Sequence, residues 1–401
     1  MNRLQDFNKV VGDELIHKVY LKTRNLYNTH IVHINSTSQG GGVAEILNSL
    51  VPLMNDIGLN AGWRVLHGNF DFFTLTKKFH NSLQGEGINL SEHKKNIYTK
   101  TNENFSVFTH INHECVIIHD PQPLPLSNFY QKKQPWVWRC HIDLSHPNKA
   151  LWEYLKKFIL KYDMVIVSHE DYKKPDLPVE QRIIHPAIDP LTNKNMELSK
   201  RDIDRYVKKF NIKRDKPILT QISRFDKWKD PLGVIDVFKK VKSEIDCRLI
   251  LCGNMAADDP EGMQIFEKVK RKAGNMLKTG DIMLITLEDN VLVNVLQRIS
   301  DVVIQKSIRE GFGLTVTEAL WKGTPVVASN KGGIPLQIIN EFSGYSLDPE
   351  DHDAFADKII YLLNNPELAE QFGKNGREHV RKNFLTTRLL LDYLNLLEEL
   401  L

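Results

Sequence analysis

The chain has 401 residues, enough for two domains of ordinary size, and its balance of apolar and charged residues is that of a water-soluble globular protein. A formal net charge of +3 is too small to indicate a nucleic-acid partner. No apolar run approaches transmembrane length, and the first residues lack the apolar core of a signal peptide. The four cysteines show no paired short spacing, which argues against a disulfide framework. We therefore expect a cytoplasmic protein with no membrane partner.

Short β-branched runs alternate with helical patterns through the first half of the chain. This alternation predicts a parallel sheet with helices on both faces. Residues 43–57 carry their apolar side chains on one helical stripe. Residues 69–105 lack such regularity, and we expect them to form loops over a ligand cleft. The predicted strands are residues 30–34, 116–118, 136–139 and 164–167.

A proline-rich extended stretch at residues 175–195 interrupts the pattern, which then starts again. We predict an N-terminal domain (1–188), a C-terminal domain (189–380) and a last helix (381–401) that packs back on the first domain. Two doubly wound, Rossmann-like α/β domains would face a central cleft, with ligand at the carboxyl ends of both sheets. The predicted strands of the second half are residues 217–222, 248–251, 282–285, 302–304 and 325–328.

Three consecutive glycines, Gly40 to Gly42, join the first predicted strand to the first long helix. Adjacent glycines let the backbone approach a ligand closely and aim its N–H groups at it. The run does not follow the G-x-G-x-x-G pattern of nicotinamide dinucleotide sites and lacks the Gly-Lys-Ser/Thr of a P-loop. A tight turn that binds nothing is the alternative to a ligand site.

Two glutamates, Glu310 and Glu318, lie eight residues apart around a glycine-rich turn between a predicted buried strand and a helix that runs to about Lys322. Such a turn presents backbone N–H groups above the sheet. The two carboxylates could hold a polyhydroxylated ligand at two points. They could also be the acid and nucleophile of a glycosidase. However, Glu318 falls inside the helix, away from the bond that would break, and this position favours ribose recognition.

Two cations, Arg224 and Lys229, lie five residues apart on the loop after the first strand of the second half. A pair so spaced can straddle a diphosphate. One unit charge about 4 Å from another contributes ~4 kcal/mol at an effective dielectric of 20, whereas a helix terminus contributes ~0.3–1 kcal/mol. The cations would therefore neutralise a leaving group while the glycine turns orient it. A solvated surface loop is the alternative.

Two His/Asp pairs follow predicted strands of the first half, His119 with Asp120 and His141 with Asp143. Their side chains donate and accept in fixed directions, which suits sugar hydroxyls. Two His and two Asp could also gather around zinc, but no Cys-x-x-Cys or His-Glu-x-x-His spacing supports that site. We expect no metal.

Over nearly its whole length the chain resembles the retaining GT-B glycosyltransferases of family four, through the glycine loop, the Arg224/Lys229 pair and the glutamate pair. A narrower similarity is to trehalose synthases of the glycosyltransferring type, and trehalose phosphorylases share it. The segments that carry this similarity are residues 33–47, 119–123, 138–145 and 258–262.

The resemblance implies a metal-independent, retaining transfer of glucose from an ADP- or UDP-type nucleotide-glucose to free glucose, which forms trehalose. A phosphorylase that uses inorganic phosphate and no nucleotide, another hexosyltransferase with a different acceptor, and a sugar-binding protein without catalysis stay open. No cofactor is implied beyond the nucleotide-sugar substrate and the sugar acceptor. A homodimer is left open.

The resemblance also implies that the N-terminal domain (1–188) lies on the acceptor side and that the C-terminal domain (189–380) binds the nucleotide-sugar. It further implies roles for individual residues. Arg224 and Lys229 would bind the phosphates, and Glu310 would hold donor-sugar hydroxyls. His141 would contact the sugar and the positive charge that develops near its anomeric carbon. Further donor contacts would come from Gly41, Gly42, Gly311, Phe312, Gly313, Leu314 and, at the ribose, Glu318, and further sugar contacts from Asp120 and Asp143.

One position departs from the family pattern. Asp230 follows Lys229 where many relatives carry glycine. We expect its negative charge to weaken the phosphate-binding role of Lys229.

Overall fold

The structure, a computed structural model, describes residues 2–253 and 260–401 and divides into two compact units. The first comprises Met1–Ala187 with Leu385–Leu401, and the second Ile188–Phe384. Each unit contains a six-stranded parallel sheet covered by helices, which confirms the predicted two-domain α/β class.

The first sheet runs in the order β2-β1-β3-β4-β5-β6, with every pairing parallel. Its central strands are buried on both faces, as their largely apolar runs predict. The strands are β1 (His30–Asn35), β2 (Asn60–Val65), β3 (Cys115–His119), β4 (Trp136–Arg139), β5 (Met164–Val167) and β6 (Glu180–Ile183). The α-helices of this unit are Asn8–Val11, Asp13–Thr23, Gly42–Asp56, Phe70–Leu83, Glu92–Phe108, Lys149–Ile159 and Thr386–Leu400.

The prediction of loops over residues 69–105 is wrong, because the helices Phe70–Leu83 and Glu92–Phe108 occupy most of that segment. Asn69 and Ser91 cap them, each accepting a hydrogen bond from the backbone three residues on. Many Asn and Lys residues conceal an apolar stripe at helical spacing. The stripe consists of the buried Phe72, Leu75, Phe79 and Leu83.

The second sheet runs in the order β12-β11-β10-β7-β8-β9, again with every pairing parallel. Its strands are β7 (Ile218–Ile222), β8 (Arg248–Cys252), β9 (Ile282–Ile285), β10 (Val302–Gln305), β11 (Val326–Ser329) and β12 (Gly344–Leu347). The α-helices of this unit are Lys200–Lys209, Pro231–Glu244, Pro260–Ala273, Met276–Thr279, Asn290–Ile299, Leu314–Trp321, Ile334–Gln337, His352–Asn364 and Pro366–Asn383.

In each sheet, the strands are added first on one side of the first strand and then on its other side. In the first unit β1 lies between β2 and β3, and in the second unit β7 lies between β8 and β10. The loops that leave β1 and β3, and those that leave β7 and β10, therefore diverge to opposite sides of their sheet. In open α/β sheets such a switch point at the carboxyl edge is where ligands bind. Within the described residues no helix is long and apolar enough to cross a membrane.

Candidate active site

The switch point of the second unit brings Lys229 and Glu310 into contact. Lys229 follows β7 and Glu310 follows β10, and the Lys229 Nζ lies 2.6 Å from Glu310 Oε2. The side chains are 18% and 8% exposed, so that water screens the pair only partly. Two residues that the sequence separates by 81 positions thus form one charged group at the carboxyl edge of the sheet.

Two further donors hold the Glu310 carboxylate. Oε2 accepts from the Ser307 hydroxyl at 2.9 Å and from the Gln305 amide at 3.3 Å. The carboxylate is therefore fixed in position from three directions. Such prior orientation is what a group needs if it is to bind sugar hydroxyls without reorganising.

Arg224 lies on the same loop as Lys229 but is 57% exposed. Its Nη2 is 3.5 Å from Asp226 Oδ2. The other oxygen of that carboxylate, Oδ1, accepts from the backbone N–H groups of Trp228 and Lys229. Asp226 thereby shapes the short turn that presents Lys229. More than half of the Arg224 side chain is therefore exposed, where an anionic ligand can reach it.

We expected the charge of Asp230 to weaken Lys229, but in the structure Asp230 pairs with another cation. Asp230 adopts φ 44°, the left-handed conformation that favours glycine, and its side chain caps the helix Pro231–Glu244 by accepting from Gly233 N at 2.9 Å. Its other carboxylate oxygen pairs with the buried Lys306. The Asp230 charge is thus matched by Lys306, while the Lys229 charge is matched by Glu310.

The glycine-rich turn after Glu310 opens the helix Leu314–Trp321. Gly313 has φ 85°, and a Cβ there would lie 3.2 Å from Glu310 Cγ, so the turn requires glycine. The N–H groups of Leu314 and Thr315 precede the first intrahelical hydrogen bond and suit an anionic group, whereas Val316 N already donates to Gly313 O at 2.9 Å. The Gly311 carbonyl accepts from Gly333 N, and Phe312 is buried, which fixes the loop.

Glu318 lies in the second turn of this helix, as predicted, but is only 1% exposed. Its Oε1 is 2.9 Å from Lys194 Nζ, and its Oε2 accepts weakly from Gln297 at 3.4 Å. Next to it, burial lowers the pKa of Lys322 to about 7. Glu318 is therefore a buried ion-pair partner in this structure, and its ribose-binding role stays a prediction.

In the first unit, the glycine loop leaves β1 as expected. Gly40 and Gly41 have φ 71° and 85°, and Gly42 begins the helix Gly42–Asp56. An added Cβ at Gly40 or Gly41 would meet no atom within 4 Å, so the backbone angle and not crowding requires glycine. The backbone there is open to close approach by a ligand.

Asp120 and His141, which follow β3 and β4, are brought together. Asp120 has φ 62°, and its Oδ1 accepts from His141 N at 2.8 Å. Burial raises the pKa of Asp120 to about 7, although that hydrogen bond and Arg139 lower it. Asp143 is buried and accepts from Ser145 N at 2.8 Å. Among the described residues, no group of three or more His, Cys, Asp or Glu is arranged to hold a metal ion.

Two histidines beyond His141 belong to the same cluster. His33 Nδ1 is 3.0 Å from His119 Nε2, and His119 Nδ1 is 3.0 Å from His141 Nε2. Burial, aided by the charge of Arg139, lowers the pKa of His33 to about 3, and burial lowers those of His119 and His141 well below their usual range. All three rings are therefore neutral at pH 7.

Sequence analysis missed several polar residues that shape these two sites. Some gave a signal, because a polar side chain is unusual in a buried strand or within two residues of its end; these are His33, Arg139, Gln305, Lys306 and Ser307. Asp226 and Lys194 lie outside strands and helices, where a polar residue gives no such signal.

Comparison with known proteins finds a matching family for each half of the chain. Residues 33–174 match the family described as "Trehalose synthase, N-terminal domain", and residues 202–379 match "Glycosyl transferases group 1". A trehalose synthase from Thermococcus litoralis is 48% identical over 98% of this chain and 96% of its own length. The chain belongs to the trehalose synthase family.

This membership makes the protein a glycosyltransferase of trehalose-related chemistry. A trehalose phosphorylase from Pleurotus pulmonarius is 29% identical over 86% of this chain but only 54% of its own length. A sucrose-phosphate synthase from Thermosynechococcus elongatus has the same fold, with a TM-score of 0.72 at 20% identity over 92% of this chain and 99% of that one. The GT-B assignment is thereby confirmed. Of the similarity segment 258–262, residues 258 and 259 lie outside the described residues.

Proposed function

We propose that this family member transfers glucose from a nucleotide-glucose to free glucose, with retention of configuration and without a metal, to form trehalose. The observation that carries this proposal is the Lys229–Glu310 pair at the switch point of the second sheet. It sets a cation for phosphate and a carboxylate for sugar hydroxyls side by side, at the opening of a helix. The 48% identity to a trehalose synthase supports the product.

The step consistent with these residues breaks the bond between the anomeric carbon and the diphosphate oxygen, and forms a bond from that carbon to an acceptor hydroxyl on the same face. The acceptor proton passes to the departing diphosphate oxygen, so that no protein base is needed. Arg224 and Lys229 stabilise the negative charge of the departing diphosphate. Glu310 holds donor-sugar hydroxyls, and His141 contacts the sugar. Glu318, after release from Lys194, binds the ribose.

A direct assay tests the proposal. Glucose is incubated with a panel of nucleotide-glucoses that includes the ADP and UDP types, with a chelator present, and the product linkage is determined by NMR. We expect α,α-linked trehalose and release of the nucleoside diphosphate. A β-linked product would contradict retention, and a requirement for added divalent metal would contradict metal independence.

Trehalose phosphorolysis is the second candidate, favoured by the 29% identity to a trehalose phosphorylase. Incubation of trehalose with inorganic phosphate and no nucleotide distinguishes it. We expect no glucose phosphate to form, whereas trehalose with a nucleoside diphosphate should regenerate nucleotide-glucose. Other acceptor sugars, supplied one at a time with the best donor, test for a different hexosyltransferase.

A sugar-binding protein without catalysis is excluded by the same assay if any product forms. Glu310→Gln keeps the size of the side chain and removes its charge. We expect this variant to lose turnover with each donor. A binding protein would instead be identified if Glu310→Gln still bound the donor while the unsubstituted protein formed no product.

A further inference from the structure

The His33, His119 and His141 rings form a hydrogen-bonded series across the first sheet, here called the histidine relay. His33 pairs in register with Ile117 of β3, and His119 pairs with Arg139 of β4. Because side chains alternate along a strand, His33, His119 and Arg139 share one face of the sheet. The His119 and His141 ring planes are nearly parallel, with an interplanar angle of 15°, as an in-plane N–H···N contact requires.

The ring protons of the histidine relay can be arranged in only two ways. Three neutral rings carry three protons on six nitrogens, and each of the two N···N contacts holds one. If His33 Nε2 carries the third proton, all three rings are protonated at Nε2. If His141 Nδ1 carries it, all three are protonated at Nδ1. The tautomer at one end of the chain therefore determines the tautomer at the other.

The buried end of the histidine relay, at His33, lies beside Arg139. His33 and the Arg139 guanidinium both lie against the Tyr393 ring, 5.7 and 5.6 Å between centres. His33 Nε2, Arg139 Nε and Arg139 Nη1 are buried, and none has a hydrogen-bond partner among the described residues. An N–H on His33 Nε2 would add a third unpaired donor beside a buried cation. A lone pair there faces the positive charge favourably.

We propose that Arg139 and His33 set the tautomer of the whole relay, so that His141 presents an Nδ1–H donor to a sugar hydroxyl oxygen. His33, His119 and Arg139 are then positioning residues, which act on the substrate only through His141. Only the assignment of His141 to the sugar rests on the proposed function. The coupling between the three rings stands on their two N···N contacts and on the neutrality of the buried rings, and not on the proposed function.

The unsubstituted protein provides the first test. With ¹⁵N-labelled histidine, the ring nitrogen shifts identify the tautomer of each histidine. We expect His33, His119 and His141 all to carry the proton on Nδ1, with scalar coupling across both N–H···N contacts. A different tautomer in any one of the three would overturn the relay.

His33→Phe provides the second test, since it removes the buried end of the chain while keeping an aromatic ring against Tyr393. We expect the ring nitrogen shifts of His141 to move toward a mixture of tautomers and kcat to fall about ten-fold, the size of one hydrogen bond. His33→Asn, whose amide can donate to His119 Nε2, should restore both. His30→Ala, an exposed histidine of the same strand, is the matched control and should change neither.

The outcomes separate the relay from the proposed function. Unmoved His141 shifts in His33→Phe would overturn the relay, whatever happens to turnover. Moved shifts with unchanged kcat would overturn the step from the relay to the sugar. If His33→Phe does not fold, Arg139→Met, which removes the charge from a buried site of similar volume, should shift the relay toward the mixed state. Failure of the proposed function would appear separately, as absence of trehalose when the unsubstituted protein is incubated with glucose and the panel of nucleotide-glucoses.

Discussion

Lys229 and Arg224, which the sequence predicts as a pair of phosphate-binding cations, differ in their surroundings. Lys229 is fixed against Glu310, whereas Arg224 is largely exposed. We expect Arg224→Ala to lower kcat roughly 100-fold, as one lost charge stabiliser does, with an unchanged Tm. Lys229→Ala should lower kcat comparably and also reduce the free energy of unfolding by about 3 kcal/mol, because it leaves the buried Glu310 charge unpaired. Steady-state kinetics and urea unfolding measure the two effects.

Matched variants separate the charge from the fold in this prediction. Combining Lys229→Met with Glu310→Gln removes both charges and should recover much of the stability while activity stays lost. Lys227→Ala changes a cation of the same loop that packs over the Trp228 ring, and it should leave kcat near that of the unsubstituted protein. Full turnover in both Arg224→Ala and Lys229→Ala would remove the proposed phosphate site.

Asp120 gives stability a dependence on pH. Burial raises its pKa to about 7 in the folded chain from a usual 3.8, so the folded state binds its proton more tightly than the unfolded state. The stability contributed by the protonated form is therefore present at acid pH and is lost as pH rises from about 4 to about 7. Asp120→Asn keeps an acceptor for His141 N and tolerates the left-handed backbone.

The difference in unfolding free energy between Asp120→Asn and the unsubstituted protein isolates this group. Urea titrations at pH 5 and pH 8 should show the Asn variant gaining stability relative to the unsubstituted protein at the higher pH. Other titrating groups cancel in the difference. Equal differences at the two pH values would contradict a raised pKa.

At the scale of elements, the sequence predicted the central strands well, because buried parallel strands are largely apolar runs. It missed the edge strands β2, β6 and β12. In these the apolar run is broken by polar residues or glycine, as in Asn60–Val65, so the local pattern carries little signal.

Most positions of the candidate site were predictable, but their pairings were not. A glycine-rich turn between a strand and a helix is visible as a local motif, which is why the sequence indicates Glu310 and Gly313 as candidates. The contact of Lys229 with Glu310 depends on β7 lying next to β10, and strand order is not written in any local pattern. The His33–His119 contact likewise depends on the pairing of β1 with β3.

The start of the helix Pro231–Glu244 depends on an ion pair between elements. Asp230 caps this helix and pairs with Lys306, which follows β10 and is 1% exposed. We expect Asp230→Asn to keep the cap but to cost about 3 kcal/mol of unfolding free energy, because Lys306 is then buried without a counter-charge. Adding Lys306→Met should restore most of that loss. Urea unfolding of the single and double variants measures it, and additive effects would contradict the pairing.

Gly233 shows how closely these elements approach. A Cβ at this position would lie 2.0 Å from Asp230 Oδ2 and 2.6 Å from Lys306 Nζ. Any side chain here must displace the ion pair. The left-handed Asp230, its cap and the glycine three residues later therefore form one arrangement that holds the loop carrying Lys229.

At the scale of the whole molecule, the chain enters the first unit twice, because its last segment, Leu385–Leu401, follows the second unit in sequence. The helix Thr386–Leu400 packs against Asp13–Thr23 and Gly42–Asp56. Arg388 donates to the carbonyls of His185 and Pro186. The buried apolar residues of this helix are Leu389, Leu390, Tyr393, Leu394, Leu396 and Leu397.

A chain that ends at Phe384 should therefore lose the first unit and keep the second. Each buried apolar side chain contributes ~1.5–3 kcal/mol, and six of them together approach the whole stability of a domain, about 5–15 kcal/mol. Calorimetry should show the transition of the 188–384 unit retained and that of the first unit lost, with proteolysis confined to the first unit. Deleting only 398–401 is the control: it removes the surface pairs Lys22–Glu398 and Arg182–Glu399, worth less than about 1 kcal/mol each. An intact first transition in the shorter chain would mean that residues 1–187 form a stable domain without the terminal helix.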